Sequence, residues 1–353
     1  MSSNRPLGRM LVSKEKERFV EIDIEKVASG SFFTTETAWL NQPVRDFLEM
    51  ALRETGGKVL DPFAGNGHLL ETLQSDATLR QLVKDTFGLD IAGPWPKNDS
   101  LLGIPNPEKS LILTNPPYLA NHSAKRKGVD SMVQPYFQKT GMDNLYKIAL
   151  ANSLAAAEFV VAIVPETFLL SNFPKDRLEI AVVIEDSLFG DTEAPTLVAC
   201  FGRNSDKEVF LGEQRIGTLD ELLALRKPKV KKHKVIFNVP NGRIGLRAVD
   251  GADGKSPIAF MKAADFFYPS SKVRVSSRLM TYLEIPGLKD SEIDSVIEIA
   301  NFELAKLRYE TRDLILAPFK GNDLAGKRRR RLDYALARSL LSISIEQRNS
   351  LQA

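Results

Sequence analysis

The sequence predicts an α/β fold, a doubly wound and mostly parallel sheet followed by a smaller mixed α+β domain. Three features of the 353 residues point there. Short apolar runs alternate with helical or turn-rich stretches through the first half of the chain, the pattern of βαβ units. One of these runs passes directly into a Gly-x-Gly turn and then a helix, over 59–70. Near Asn204 the pattern becomes mixed and basic, which sets the predicted division into 1–203 and 204–353.

The elements follow in order. Residues 36–55 carry Leu40, Val44, Phe47, Leu48, Ala51 and Leu52 mostly at three- and four-residue spacings, an amphipathic helix with Pro43 near its start and Gly56-Gly57 at its end. Strands are predicted at 58–60, 87–91, 111–114, 159–164, 178–184 and 196–201. The last two are joined by 189–195, too short for a crossover helix, so they form a hairpin appended to the sheet. Helices return near 289–310 and 332–347.

Composition narrows the function classes. At 43% hydrophobic and 26% charged residues the chain is an ordinary globular polymer, not a collagen-like or disordered one. Its apolar runs, such as 159–164, fall far short of the ~18 residues of a membrane helix. The first residues carry basic groups without an apolar secretory core, so no membrane partner is expected. A single Cys200 excludes an internal disulfide, and histidines at 68, 122 and 233 give no zinc-ligand spacing, so neither metal nor an oxidising compartment is expected. A cytoplasmic location fits. Charge is uneven: 204–353 hold 27 Lys and Arg against 19 Asp and Glu, whereas 1–203 hold 21 against 26. That asymmetry suits a small-ligand half joined to a half with a polyanionic partner, or an unevenly solvated surface.

The strongest local signal is Asp61-Pro62-Phe63-Ala64-Gly65-Asn66-Gly67, at the exit of a strand. Glycines there permit a tight turn and the close approach of a nucleotide-like ligand beside a helix N-terminus, or a purely structural turn. It is neither the full dinucleotide fingerprint, since Leu70 replaces the third glycine, nor a P-loop. Asp90 ends the next strand about 20 residues on, where a carboxylate takes ribose hydroxyls or caps a turn. A second signal, Asn115-Pro116-Pro117-Tyr118, follows a buried-looking central strand, at the carboxyl end where open α/β sheets bind ligands. The Asn115 amide oxygen and the Pro116 carbonyl suit the two hydrogens of a primary amine, and Tyr118 offers a flat face to a heterocycle.

These two motifs, 54 residues apart from Asp61 to Asn115, resemble the S-adenosylmethionine-dependent amino-methyltransferases of DNA. The likeness is to the N6-adenine enzymes with a following target-recognition domain, it covers about 30–203, and it implies a Rossmann-like class I methyltransferase sheet. By that resemblance Phe33, Thr34 and Thr35 hold the methionine moiety of S-adenosylmethionine, although the family more often has Pro where Thr35 stands. Asp61, Phe63, Gly65, Asn66 and Gly67 match the cofactor loop, Asp90 the ribose carboxylate and Asp99 the reader of the cofactor's adenine. Residues 187–196 resemble the hairpin whose aromatic packs on a flipped base, with Phe189 at that position.

The chemistry implied is methylation of adenine N6 in duplex DNA, in restriction-modification protection with a cognate endonuclease acting on the same site. An adenine amine is a poor nucleophile, and acceptors at Asn115 and Pro116 favour its pyramidal, positively charging form. The base must leave the duplex, held by Tyr118 and Phe189. Residues 119–142, with Lys125, Arg126 and Lys127, are expected to form a mobile loop near DNA. Two basic runs, one with Lys229, Lys231 and Lys232 and one with Arg328, Arg329 and Arg330, are expected to meet phosphates. The alternatives are N6-adenine or N2-guanine methylation of structured RNA, N4-cytosine methylation of DNA, methylation of a protein glutamine, and a silent nucleic-acid-binding protein on the same scaffold.

Overall fold

A computed structural model of the chain describes residues 37–185, 195–227 and 230–352. The first described helix, α1 (Gln42–Glu54), starts later than the periodicity suggests. Asn41 is its N-cap and its side chain accepts from Val44 N–H at 3.3 Å, while Pro43 sits in the first turn, where no N–H is needed. It buries Val44, Phe47, Leu48, Ala51 and Leu52.

Among the described residues eight strands make the main sheet: β1 (Lys58–Asp61), β2 (Asp85–Gly88), β3 (Leu111–Thr114), β4 (Val160–Pro165), β5 (Leu178–Val183), β6 (Thr196–Phe201), β7 (Glu208–Leu211) and β8 (Gln214–Thr218). Their spatial order is β2-β1-β3-β4-β6-β5-β7-β8. The first four are mutually parallel, and β6 lies antiparallel between β4 and β5, as the predicted hairpin requires. Strand β2 sits earlier than 87–91, because the Asp90 side chain accepts from Ala92 N–H and turns the chain away. The connections hold α2 (His68–Ser75), α3 (Asn121–Lys127), α4 (Asp130–Thr140) and α5 (Leu145–Ala156).

Strand side chains alternate between two cores. Leu60, Ile112, Val160, Ala162 and Val164 pack with Tyr146 and Leu150 of α5. Val59, Leu111, Leu113, Val161 and Ile163 pack with α1 and with Leu69, Leu70 and Leu73 of α2. Helices on both faces make the sheet doubly wound, as predicted.

Residues 119–142, expected to be a mobile loop, are instead a helical hairpin. Gly128 and Gly141 take left-handed backbone and close α3 and α4. Ala124, Val133 and Phe137 pack on Leu119, Leu145 and Ile148, which gives the segment a small core of its own.

The expected division at 203/204 falls between β6 and β7, two strands of one sheet. That sheet runs on to Thr218, where α6 (Leu219–Leu225) begins with a capping box between Thr218 and Glu221. A second, antiparallel sheet follows, of β9 (Ile236–Phe237), β10 (Ile244–Arg247), β11 (Ala259–Lys262) and β12 (Met280–Glu284), in the order β11-β10-β12-β9. Helix α7 (Asp290–Glu310), the hairpin β13 (Ala317–Asn322) with β14 (Arg328–Arg331), and α8 (Tyr334–Gln352) complete the chain. No described helix is long and apolar enough to cross a membrane.

Candidate active site

Strands β1 and β3 are parallel neighbours, with Leu60 opposite Ile112, so the segments leaving their carboxyl ends emerge side by side. The β1 exit is the glycine loop. Asp61 is only 2% exposed. Its Oδ1 accepts from Phe63 N–H at 3.0 Å, and burial pushes its carboxyl up to about 7. Gly65 and Gly67 both have positive φ, 52° and 88°, and Gly67 caps α2.

The segment after β2 clamps this loop. Asp90 accepts from Gly65 N–H at 2.8 Å through one oxygen and from Ala92 N–H at 3.0 Å through the other. Sequence reasoning missed Trp95. Its indole N–H donates to the Gly65 carbonyl at 2.9 Å. A Cβ on Gly67 would stand 3.0 Å from the ring, and one on Gly88 would stand 2.4 Å from it. The absence of side chains at 67 and 88 therefore makes room for an indole of the same chain. The only sequence signal was a tryptophan between two prolines, Pro94 and Pro96. Asn66 is exposed at the loop tip, and Phe63 is half-buried.

At the β3 exit the Tyr118 hydroxyl donates to Asn115 Oδ1 at 2.6 Å and lies 2.8 Å from the Ile163 carbonyl of β4. Burial pushes the phenol well above its usual 10, so it is a neutral donor. The ring meets Tyr146 of α5 edge to face, with centroids 6.5 Å apart and planes at 89°. Pro116 is buried, and Asn115 and Tyr118 are partly exposed. Tyr118 thus orients the amide oxygen singled out in the sequence.

Asp99 accepts from Leu101 N–H at 3.1 Å and from the Tyr136 hydroxyl at 2.7 Å. Tyr136 lies on α4, and burial together with the Asp99 carboxylate pushes its phenol up to about 12. The expected adenine reader is therefore tied to the 121–140 helical hairpin. Asp61 and Asp90 stand at the glycine loop, Asn115, Pro116 and Tyr118 at the next strand exit, and Asp99 beyond β2. Phe33, Thr34, Thr35, Phe189 and Lys229 lie outside the described residues.

The basic residues divide. Lys125, Arg126 and Lys127 are exposed in the last turn of α3, where cations also oppose the helix dipole. Lys231 and Lys232 are exposed. Arg330 is a correction: it is 5% exposed and ion-paired to Glu166, itself 2% exposed, just after β4. Arg328 is turned to the same carboxylate at 3.7 Å, and Arg329 donates to the Asp250 carbonyl at 2.8 Å while lying over the Phe319 ring. The expectation that Arg330 meets phosphate fails because charge density in sequence does not reveal a buried carboxylate contributed from 164 positions away.

No family model matches this chain, and no curated protein matches it. Solved structures that are similar in part include the following three. The type IIG restriction endonuclease BpuSI is 18% identical with a TM-score of 0.35, over 51% of this chain and 26% of its own. A type I restriction-modification methyltransferase subunit from Streptococcus thermophilus is 15% identical with a TM-score of 0.33, over 55% of this chain and 53% of its own. The M protein of the type I restriction enzyme EcoKI is 13% identical with a TM-score of 0.29, over 80% of this chain and 73% of its own. This chain thus spans about a quarter and about half of the length of the first two.

Proposed function

We propose that the chain is an S-adenosylmethionine-dependent DNA methyltransferase that modifies the N6 amine of an adenine turned out of the duplex. The observation that carries this reading is the Tyr118–Asn115 hydrogen bond at a strand exit beside the glycine loop. A side-chain amide oxygen held in one orientation, next to the Pro116 carbonyl, is a pair of acceptors for an exocyclic amine. Such a pair favours the nitrogen as it becomes pyramidal and gains positive charge, without a metal ligand or a covalent intermediate.

The residues present fit the cofactor. The buried carboxyl of Asp61, the left-handed glycines at 65 and 67 and the carboxylates of Asp90 and Asp99 are the donor set expected around its amine, ribose and adenine. Bound there, S-adenosylmethionine supplies an activated methyl group. Asp90 holds the loop through Gly65, and Asn115 orients the incoming nitrogen towards it. Alignment of the two contributes much of the acceleration.

The basic surplus of 204–353 favours a polyanionic substrate over a protein glutamine. Transfer of labelled methyl to unmethylated duplex DNA, structured RNA and a protein extract, followed by identification of the modified residue, tests this. N6-methyladenine in duplex DNA alone is the expected result. Label in RNA or protein with DNA blank would overturn the substrate class.

A further inference from the structure

The second sheet carries a surface that the sequence did not single out. Residues 266–283 contain Lys272, Arg274 and Arg278 and no acidic side chain. All three cations are exposed. The same segment presents two large apolar side chains to solvent, Phe267 at 96% and Val275 at 91% exposure. Single exposed apolar residues need no explanation. Two in one basic segment without an acid, on a rigid support, do.

The support is explicit. Phe266 packs into the space left by Gly245 on β10, where a Cβ would come within 2.3 Å of its ring, and meets Tyr282 of β12 edge to face with centroids 5.1 Å apart. Val273 is buried in the same small cluster. The Tyr282 hydroxyl lies 3.0 Å from the Phe266 carbonyl and 2.6 Å from that of Tyr268. Asn238 donates to the Val275 carbonyl at 2.8 Å, and the Tyr334 hydroxyl donates to that of Ser277 at 2.7 Å. Phe266 and Val273 thus anchor the segment inward while Phe267 and Val275 are left outside. Hydrogen bonds from β12, α8 and Asn238 fix its backbone, so it loses little conformational freedom on binding.

We propose that this ledge is where the C-terminal region reads duplex DNA. Lys272, Arg274 and Arg278 take backbone phosphates, and Phe267, with Val275, enters a groove against the bases. Charge complementarity names the occupant: three exposed cations without an acid among 18 consecutive residues suit a polyanion. Phosphate contacts position the protein, and a protruding apolar side chain between them meets base edges or an opened step. The proposal rests on the DNA methyltransferase reading and adds the surface that positions and selects the substrate.

The test uses the full chain and a labelled duplex containing a mapped methylation site, with affinity measured across a salt series. Arg274→Gln with Arg278→Gln should reduce the salt slope by about 1.8, at ~0.9 for each phosphate lost. Phe267→Ala should leave the slope unchanged and weaken binding about tenfold, the size of one lost base contact. Both variants should bind S-adenosylmethionine as the wild type does in calorimetry, because none of the three residues belongs to the glycine loop. Wild-type slope and affinity in both variants would overturn the ledge while leaving the enzyme's function intact. A wild-type protein that transfers methyl to RNA or protein and not to DNA would overturn the underlying reading and the ledge with it. A change in sedimentation with unaltered DNA binding would assign the ledge to self-association instead.

Discussion

The indole N–H of Trp95 is hydrogen-bonded to the Gly65 carbonyl at 2.9 Å, and Asp90 holds the N–H of that same glycine at 2.8 Å. Both polar backbone groups of one loop residue are therefore fixed by the turn that follows β2. The glycine loop is shaped before any ligand arrives. Trp95→Phe keeps an aromatic ring over Gly67 and removes one hydrogen bond of ~1 kcal/mol, so cofactor affinity should fall about fivefold with kcat at saturation unchanged. Because Trp39 is fully buried and is the other of two tryptophans, the cofactor-dependent change in indole fluorescence should come from Trp95 and vanish in the variant. A persistent signal would show that Trp95 does not sense the loop.

Tyr118 and Asn115 make a second separable pair. Asn115→Ala removes the amide acceptor and should nearly abolish methyl transfer while calorimetry shows unchanged cofactor binding. Tyr118→Phe leaves the acceptor but frees its orientation, at a cost of about 1 kcal/mol in the transition state, and should lower kcat by about fivefold. Loss of cofactor affinity in either variant would place the pair at the wrong end of the site.

Arg330 and Glu166 offer a test of burial against charge. Arg330→Ala leaves a carboxylate that is 2% exposed with Arg328 alone, 3.7 Å away, and removing the nearer partner of a buried pair costs up to about 3–5 kcal/mol. Urea unfolding should report that loss. A variant of wild-type stability with weakened DNA binding would return Arg330 to the phosphate-contacting group.

The pH dependence of stability follows from Asp61. Its carboxyl titrates near 3.8 when unfolded and at about 7 when folded and buried. The folded state therefore holds its proton more tightly, and the stability this contributes is complete below the unfolded value and is lost as pH rises through about 7. Asp61→Asn should flatten the fall in Tm between about pH 4 and about pH 7. An unchanged profile would mean that Asp61 is ionised throughout.

The parallel β2-β1-β3-β4 block, the β5–β6 hairpin and both motif positions were legible because each is a local pattern: an apolar run, a Gly-x-Gly turn, a proline-fixed strand exit. The 119–142 helices were not, since their stability comes from Val133 and Phe137 packing against α5 rather than from a strong helical period of their own. The ledge at 267–278 escaped for a related reason. Its charges are spaced rather than consecutive, and only the burial of Phe266 and Val273 shows which neighbours are left facing solvent.

The sequence by itself determined the first six strands, the glycine and proline turns at the ends of β1 and β3, and that the two halves differ in charge. Only the tertiary structure decided the partners. It set Trp95 on Gly65, Tyr136 on Asp99 and Arg330 on Glu166, pairs separated by 30, 37 and 164 positions. Local composition carries no record of which distant side chain desolvates a given charge, and desolvation is what turns a basic run into a structural support or leaves it for a ligand.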